Sequence, residues 1–468
     1  MKLGRSAGML LIFSILGFCA VLSISAGAAT RGAGDASWGF SLSNLDRSCK
    51  PCEDFYQFAM GGWMKANPIP AEYPTWGTFT ELRDKNLAGM RTILESAANS
   101  KAVAGSNEQK IGDFYASCMD APAIDAAGSK PLADDLAAID AIQDRKGLDS
   151  EIARLHRQAN NVAFGFGATP DFKNSSQEIA VARQGGLGMP DRDYYLRDDE
   201  KSKQLREGYV KHVAKMFELA GDAADKAVGE AKTVMALETS FAKASRTRVE
   251  LRDPEKNYNK MTIAELKKLT PDWSWEGYMQ AVGSPAVAEI NIGQPDFFKE
   301  LDHQLSATPL SDWKVYLRWH VIHNAAPALS EAFVQENFNF YGKQLSGTTE
   351  LQPRWKRCAQ SANQNLGEAL GEVYVQKYFP PEAKARAKEM VNNLIAALRS
   401  DIPTLSWMGP ETKKQALDKL QAFNVKIGYP DKWRDYSKLS IDRGSYLANV
   451  RRSDFDIRQR IGQAHGSA

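Results

Sequence analysis

Cys52-Glu-Asp-Phe-Tyr-Gln-Phe-Ala-Met-Gly-Gly-Trp-Met-Lys-Ala-Asn-Pro-Ile-Pro70 is the stretch whose reading decides the rest of the chain. Phe55, Phe58 and Ala59 fall at helical spacing, Gly61-Gly62 is expected to stop that helix, and Pro68 and Pro70 hold the exit extended. Such a run of aromatics has to be buried against something, and what covers it is the central question.

Upstream, Lys2 and Arg5 precede an uncharged run from Ala7 to Ile24 and a small-residue cleavage site at Ala26-Gly27-Ala28, so residues 1–28 read as an export signal. The alternative is a retained membrane anchor, because the run is near the length that spans a bilayer. Residues 29–43, rich in Gly, Ala and Ser, read as a linker. The chain is therefore expected outside the cytoplasm: periplasmic, extracellular or anchored to a membrane.

With 468 residues, 43% of them hydrophobic and 25% charged, the chain can bury a sizeable core. Cleavage of the signal would remove Lys2 and Arg5, lowering the 59 Lys and Arg to 57, which equals the 57 Asp and Glu. That zero balance, with no basic stripe, argues against nucleic acid or an anionic membrane surface as a partner.

Beyond Cys19 in the signal, the cysteines are Cys49, Cys52, Cys118 and Cys358. Export permits disulfides, and four cysteines allow several pairings among which the residues alone do not choose. Cys49-Lys-Pro-Cys52 has the spacing of thiol oxidoreductases, and a helix begins just after it. No strand precedes it, however, which favours a structural bridge or two distinct partners.

Downstream, Thr78-Phe-Thr-Glu81 has the form of a capping box and leads into Leu87, Met90, Leu94 and Ala97 on one helical face. Ser106-Asn-Glu-Gln109 opens a helix with Ile111, Phe114, Tyr115 and Cys118 on its buried side, so Cys118 points inward. Amphipathic helices follow through Leu132, Leu136, Ile139 and Ile142, and through Ile152, Leu155 and Ala159. The period then changes: Phe164, Phe166 and Ala168 alternate, a polar turn runs from Pro170 to Ser176, and Ile179 and Val181 return, which predicts a β-hairpin. Gly185-Gly186-Leu-Gly188-Met-Pro190 matches neither nucleotide fingerprint and reads as a turn. Residues 202–245 are helical and 246–309 are mixed, with several loop signals. Ser311 is expected to cap a long helix broken near Pro327, and helices follow at Asn363–Tyr378, Pro381–Arg399 and Pro410–Phe423. The predicted fold is mainly α, a large multi-helix lobe with one small β-hairpin.

Chemistry is sparse. Of the six histidines, His156, His212, His303 and His465 stand alone. His320 and His323 lie i, i+3 on one helix, but two ligands without an adjacent carboxylate make an incomplete metal site, and they read as packed core residues. No Gly-x-Ser-x-Gly occurs beyond residues 1–28 and no His-Glu-x-x-His occurs at all, so no catalytic residue and no metal ligand is assigned.

Several stretches, in order, nevertheless resemble one family. Cys52 to Trp63, Gly186-Leu-Gly-Met-Pro-Asp-Arg-Asp-Tyr-Tyr195, Glu336-Asn-Phe-Asn-Phe-Tyr-Gly342, Gly347-Thr-Thr-Glu-Leu-Gln-Pro-Arg-Trp-Lys-Arg-Cys358 and Lys426-Ile-Gly-Tyr-Pro-Asp-Lys-Trp433 are similar to segments of the neprilysin and endothelin-converting enzyme family of zinc metallopeptidases. The resemblance covers roughly residues 44–460. It implies two largely helical lobes around a chamber, with the zinc site in the C-terminal lobe. The family's His-Glu-x-x-His helix, Glu-x-x-x-Asp helix and Asn-Ala strand are expected about where Ala468 stands, so zinc is implied only for a complete family enzyme. The resemblance pairs Cys118 with Cys358, matches Cys52 to a cysteine whose partner lies in the catalytic lobe, and places Met60 where animal members carry another. Pro74-Thr75-Trp76 lacks the arginine with which some members grip a substrate's terminal carboxylate.

On this resemblance residues 44–77 pack on a catalytic lobe, 78–450 form the chamber lobe, and 451–468 form a tail that departs from the family. The implied function is the N-terminal, non-catalytic part of an exported zinc metalloendopeptidase, inactive alone. It would meet peptide substrates once a catalytic lobe or separate catalytic polypeptide completes it. The alternative is a stand-alone exported module that binds peptide or protein. Without a covering lobe, Phe55, Phe58 and Trp63 would be exposed and favour self-association.

Overall fold

The computed structural model describes residues 41–284 and 287–454. Residues 1–40, for which the sequence predicts an export signal and a linker, and residues 455–468 of the predicted tail lie outside the described residues. Two compact units divide between Pro68 and Ile69.

The first unit holds the opening stretch. Asp54 caps the Phe55–Ala66 helix by accepting from the Gln57 amide. Contrary to expectation, the helix runs straight through Gly61-Gly62 and ends at Asn67, whose amide donates to the Trp63 carbonyl 2.9 Å away. The glycines serve close approach instead of termination. A side-chain carbon on Gly62 would collide with the Ser43 carbonyl, and one on Gly61 would come within 2.6 Å of Asp46 Cβ. Their absence lets the preceding turn lie on the helix, where the Asp46 amide donates to the Phe58 carbonyl at 2.8 Å and Gln57 Nε2 donates to Asp46 Oδ2 at 2.8 Å. Gly62→Val should therefore lift residues 42–48 off the helix, seen as faster tryptic cleavage after Arg47, while an unchanged cleavage rate would count against this packing.

In the second unit three helices form a layer: Thr78–Asn99, Asn107–Met119 and Arg354–Tyr378. Leu87, Ile93, Leu94 and Ala97 of the first meet Ile111, Phe114 and Tyr115 of the second. Gly112 makes the crossing close, because a Cβ there would lie 2.6 Å from the Ala97 carbonyl oxygen. Ser106 caps its helix by accepting from the Gln109 amide, and Gln109 Oε1 accepts from the Gly105 amide. The box at Thr78 does not form: the helix starts at Thr78 itself with Gly77 as cap, and Glu81 pairs with Lys85. Ser311 likewise lies inside the Leu310–Ala325 helix, which is entered from Pro309. The break at Pro327 is present as a short 3-10 turn over Ala326–Ala328.

The hairpin is part of a larger sheet. β1 (Phe164–Asp171) and β2 (Asn174–Gln184) pair antiparallel with Phe164 opposite Gln184. The expected hairpin alone is corrected by β3 (Lys260–Thr262) and β4 (Glu289–Ile292), giving the order β1-β2-β4-β3 with β2 and β4 parallel. The glycine turn after β2 is held by tyrosines: Tyr316 donates to the Gly186 carbonyl and Tyr341 to the Gly188 carbonyl, both at 2.9 Å. At 64% helix with this one small sheet, the fold class is mainly α.

The Pro381–Asp401 helix is unlike the others. It has no buried residue, and Met390, Leu394 and Leu398, spaced i, i+4, i+8, are 59%, 63% and 48% exposed.

Candidate functional site

Cys118 and Cys358 are joined, with their Cα atoms 5.7 Å apart and 240 residues between them in sequence. The bridge ties the Asn107–Met119 helix to the first turn of the Arg354–Tyr378 helix. Cys49 and Cys52 are unbridged; Cys52 is exposed, and Cys49 Sγ lies 3.4 Å from the Asp54 carbonyl oxygen.

Lys356 stands two residues before Cys358 on the same helix, with its side chain only 9% exposed. Its ammonium contacts Glu72, lies 2.5 Å from Asp84 Oδ1 and donates to Tyr73 OH at 3.3 Å. Burial opposes its charge, but hydrogen bonds to Asp84, Glu72 and Tyr73 outweigh that and raise its pKa. Ala71 reinforces the junction, its carbonyl accepting from the amides of Thr349 and Glu350. Together these contacts pin the segment entering the lobe to its central helix. Lys356→Met, which leaves two carboxylates without their cation, is expected to cost about 3 kcal/mol in urea unfolding. A loss below about 1 kcal/mol would return the pair to the class of weak surface bridges.

A second buried constellation surrounds Glu238, which is 0% exposed. Tyr195 donates to its Oε2 at 2.7 Å, Tyr209 donates to the same oxygen at 2.8 Å, and His320 Nε2 lies 3.2 Å from Oε1. Trp319 Nε1 donates to Tyr209 OH at 3.0 Å. Burial, then the charge of Glu238, holds the Tyr209 hydroxyl well above its ordinary pKa, so it stays a donor.

His323, the other member of the histidine pair, packs on Trp319 and Tyr341, each ring centroid 5.1 Å away. The pair does not fit a zinc ion: among the described residues no three His, Cys, Asp or Glu side chains converge on a metal-sized site. Burial, aided by His320 and His212, pushes the His323 pKa down to about 3.

That depression has a signed consequence. An unfolded histidine binds a proton below about pH 6.5 while folded His323 refuses one, so its contribution is complete above that pH and is lost as pH falls toward 3. From pH 7 to pH 4 this group alone is worth about 3 kcal/mol, and His323→Leu should flatten the fall in urea midpoint over that range. An identical pH slope in parent and variant would refute it.

Residues 51–430 match the model of peptidase family M13, well over half of the chain. The chain belongs to peptidase family M13. It is the N-terminal portion of the family's fold that is matched. Human endothelin-converting enzyme 1 is 29% identical over 425 residues, covering 87% of this chain and 54% of that protein. Neprilysin-3 of Drosophila melanogaster is 28% identical over 436 residues, with 87% and 55% covered. This M13 chain thus spans about half the length of the curated relatives it matches. Among solved structures, the Mycobacterium tuberculosis zinc metalloprotease ZMP1 in complex with an inhibitor superposes with a TM-score of 0.86 at 36% identity, covering 91% of this chain and 64% of that one. PepO from Lactobacillus rhamnosis shares the fold at a TM-score of 0.79 and 20% identity.

Two features of this M13 chain escaped the sequence reading. Glu238 looked like any helical carboxylate, yet it follows Val234 by four residues and precedes Phe241 by three, which puts it on the apolar stripe. Lys356 carried no such signal, since it stands two residues from Cys358 and side chains so spaced do not share a helix face.

Proposed function

We propose that this chain is the non-catalytic, chamber-forming part of an exported M13 zinc metalloendopeptidase, and that by itself it hydrolyses no peptide. In this reading residues 1–28 direct export, 44–77 dock on a zinc-bearing lobe, 78–450 wall the chamber in which peptide substrates sit, and 451–468 lead out of it. One observation carries the proposal beyond family membership. The Pro381–Asp401 helix is 21 residues long without a single buried residue, and its apolar row at Met390, Leu394 and Leu398 faces solvent. A contiguous exposed apolar row marks a surface for another element to cover. Phe55 and Tyr56 in the opening stretch, 69% and 67% exposed, fit the same reading, whereas Phe58 and Trp63, expected to be exposed, are half-buried.

Among the described residues none forms a zinc site, and the sequence contains no His-Glu-x-x-His. Zinc and the base would come from the lobe that covers the exposed row, supplied in the same or a separate polypeptide. The test is to assay the purified chain with a fluorogenic peptide and added zinc. No turnover and sub-stoichiometric zinc are expected, whereas hydrolysis that stops on adding a chelator would overturn the reading. The uncovered row should also make the isolated chain bind a hydrophobic dye and self-associate; a dye-silent monomer would speak against a missing cover.

A further inference from the structure

Between the Arg354–Tyr378 helix and the Phe338–Leu345 segment lies a cavity of about 410 Å³, within the range of small-molecule sites. Its polar wall is one helix face, since Arg354, Arg357, Ser361 and Gln364 follow at i, i+3, i+7 and i+10. The facing wall presents Phe338 and Tyr341 from a stretch wound as a π-helix, a rare form found disproportionately at functional sites. Tyr446 adds a further aromatic surface to the lining.

The charges in this cavity do not balance. Arg354 Nη2 and Arg357 Nη2 lie 3.4 Å and 3.8 Å from the same oxygen, Glu331 Oε2, whose side chain is 48% exposed. Arg354 spends Nη1 on the Cys118 carbonyl at 2.9 Å. The hydrogen bond of Arg357 runs from Nε to the Gln352 carbonyl at 3.0 Å, and its terminal nitrogens make none among the described residues. Burial draws the Arg357 pKa below its ordinary value, countered by Glu331 and reinforced by Arg354. Two guanidinium groups, one of them with no hydrogen bond from its terminal nitrogens among the described residues, thus share a single carboxylate.

We propose that this cavity binds a carboxylate joined to an apolar group, the carboxylate held by Arg354 and Arg357 and the apolar part lying against Phe338 and Tyr446. A planar guanidinium fork matches a carboxylate edge, and the surplus of one positive charge suits a monoanion. The site needs no zinc and stands or falls apart from the peptidase reading.

The test is calorimetric titration of the full chain with N-acetyl-phenylalanine and with its amide. The acid should bind at least roughly tenfold more tightly than the amide. Arg357→Gln should abolish that preference, and Glu331→Gln, which removes the competing carboxylate, should tighten acid binding, a gain that misfolding cannot mimic. Equal binding of acid and amide, no change in either variant, or displacement of the acid by equimolar inorganic phosphate would each overturn the proposal. N-acetyl-Ala-Ala-Phe separates the two sources of such a group: tighter binding than the single residue identifies a peptide C-terminus, and equal binding a small apolar acid.

Discussion

Replacing Cys118 and Cys358 together by serine is expected to destabilise the chain by about 5 kcal/mol, a large fraction of what holds a folded chain together. The bridge closes a loop of 240 residues, and in the chain-entropy account the restriction of the unfolded state grows with the logarithm of that length. Both cysteines are buried, at 4% and 0% exposure, so the serines would also place two hydroxyls in an apolar setting. Urea unfolding of the parent with and without dithiothreitol provides the control, since reduction should reproduce most of the loss. A double variant within about 1 kcal/mol of the parent would show that the bridge records proximity without adding stability.

Glu238→Leu is the second large effect, about 4 kcal/mol. The substitution removes the acceptor of two buried tyrosine hydroxyls and the neighbour of His320, and each orphaned group costs about 1–3 kcal/mol. The tyrosines cannot turn to water, because both are fully buried. Glu238→Gln keeps an acceptor oxygen in place and should lose about half as much. Equal losses for leucine and glutamine would mean that volume, not hydrogen bonding, governs the position.

What could be read from the sequence depended on length and repetition. The Asn107–Met119 helix was legible because a capping serine and four periodic apolar residues agree. The β1–β2 hairpin was legible because its alternation persists across both strands. β3 and β4 were not, since three and four residues are too few for a period to show, and β4 owes its place to pairing with β2 from more than a hundred residues away. Gly61-Gly62 was misread because glycine marks both helix ends and close contacts, and only the position of Ser43 and Asp46 separates the two. Arg354 and Arg357 carry no local signal of a shared site. That they share one cavity with Tyr446 depends on the chain returning to the same helix after some eighty residues, which no local pattern encodes.

The distance along the chain between the bridged cysteines also sets an order of events during synthesis. A ribosome adding about 5–20 residues per second delivers Cys358 roughly 12–48 s after Cys118, by which time Cys49 and Cys52 are already available as thiols. For that interval the only cysteines already made are those N-terminal to Cys118, and in an oxidising compartment a premature bridge from Cys118 to one of them would have to be reshuffled before Cys358 could pair. In such a compartment the native pairing has to wait for Cys358, and the yield of folded protein is expected to depend on a disulfide isomerase more than on an oxidant.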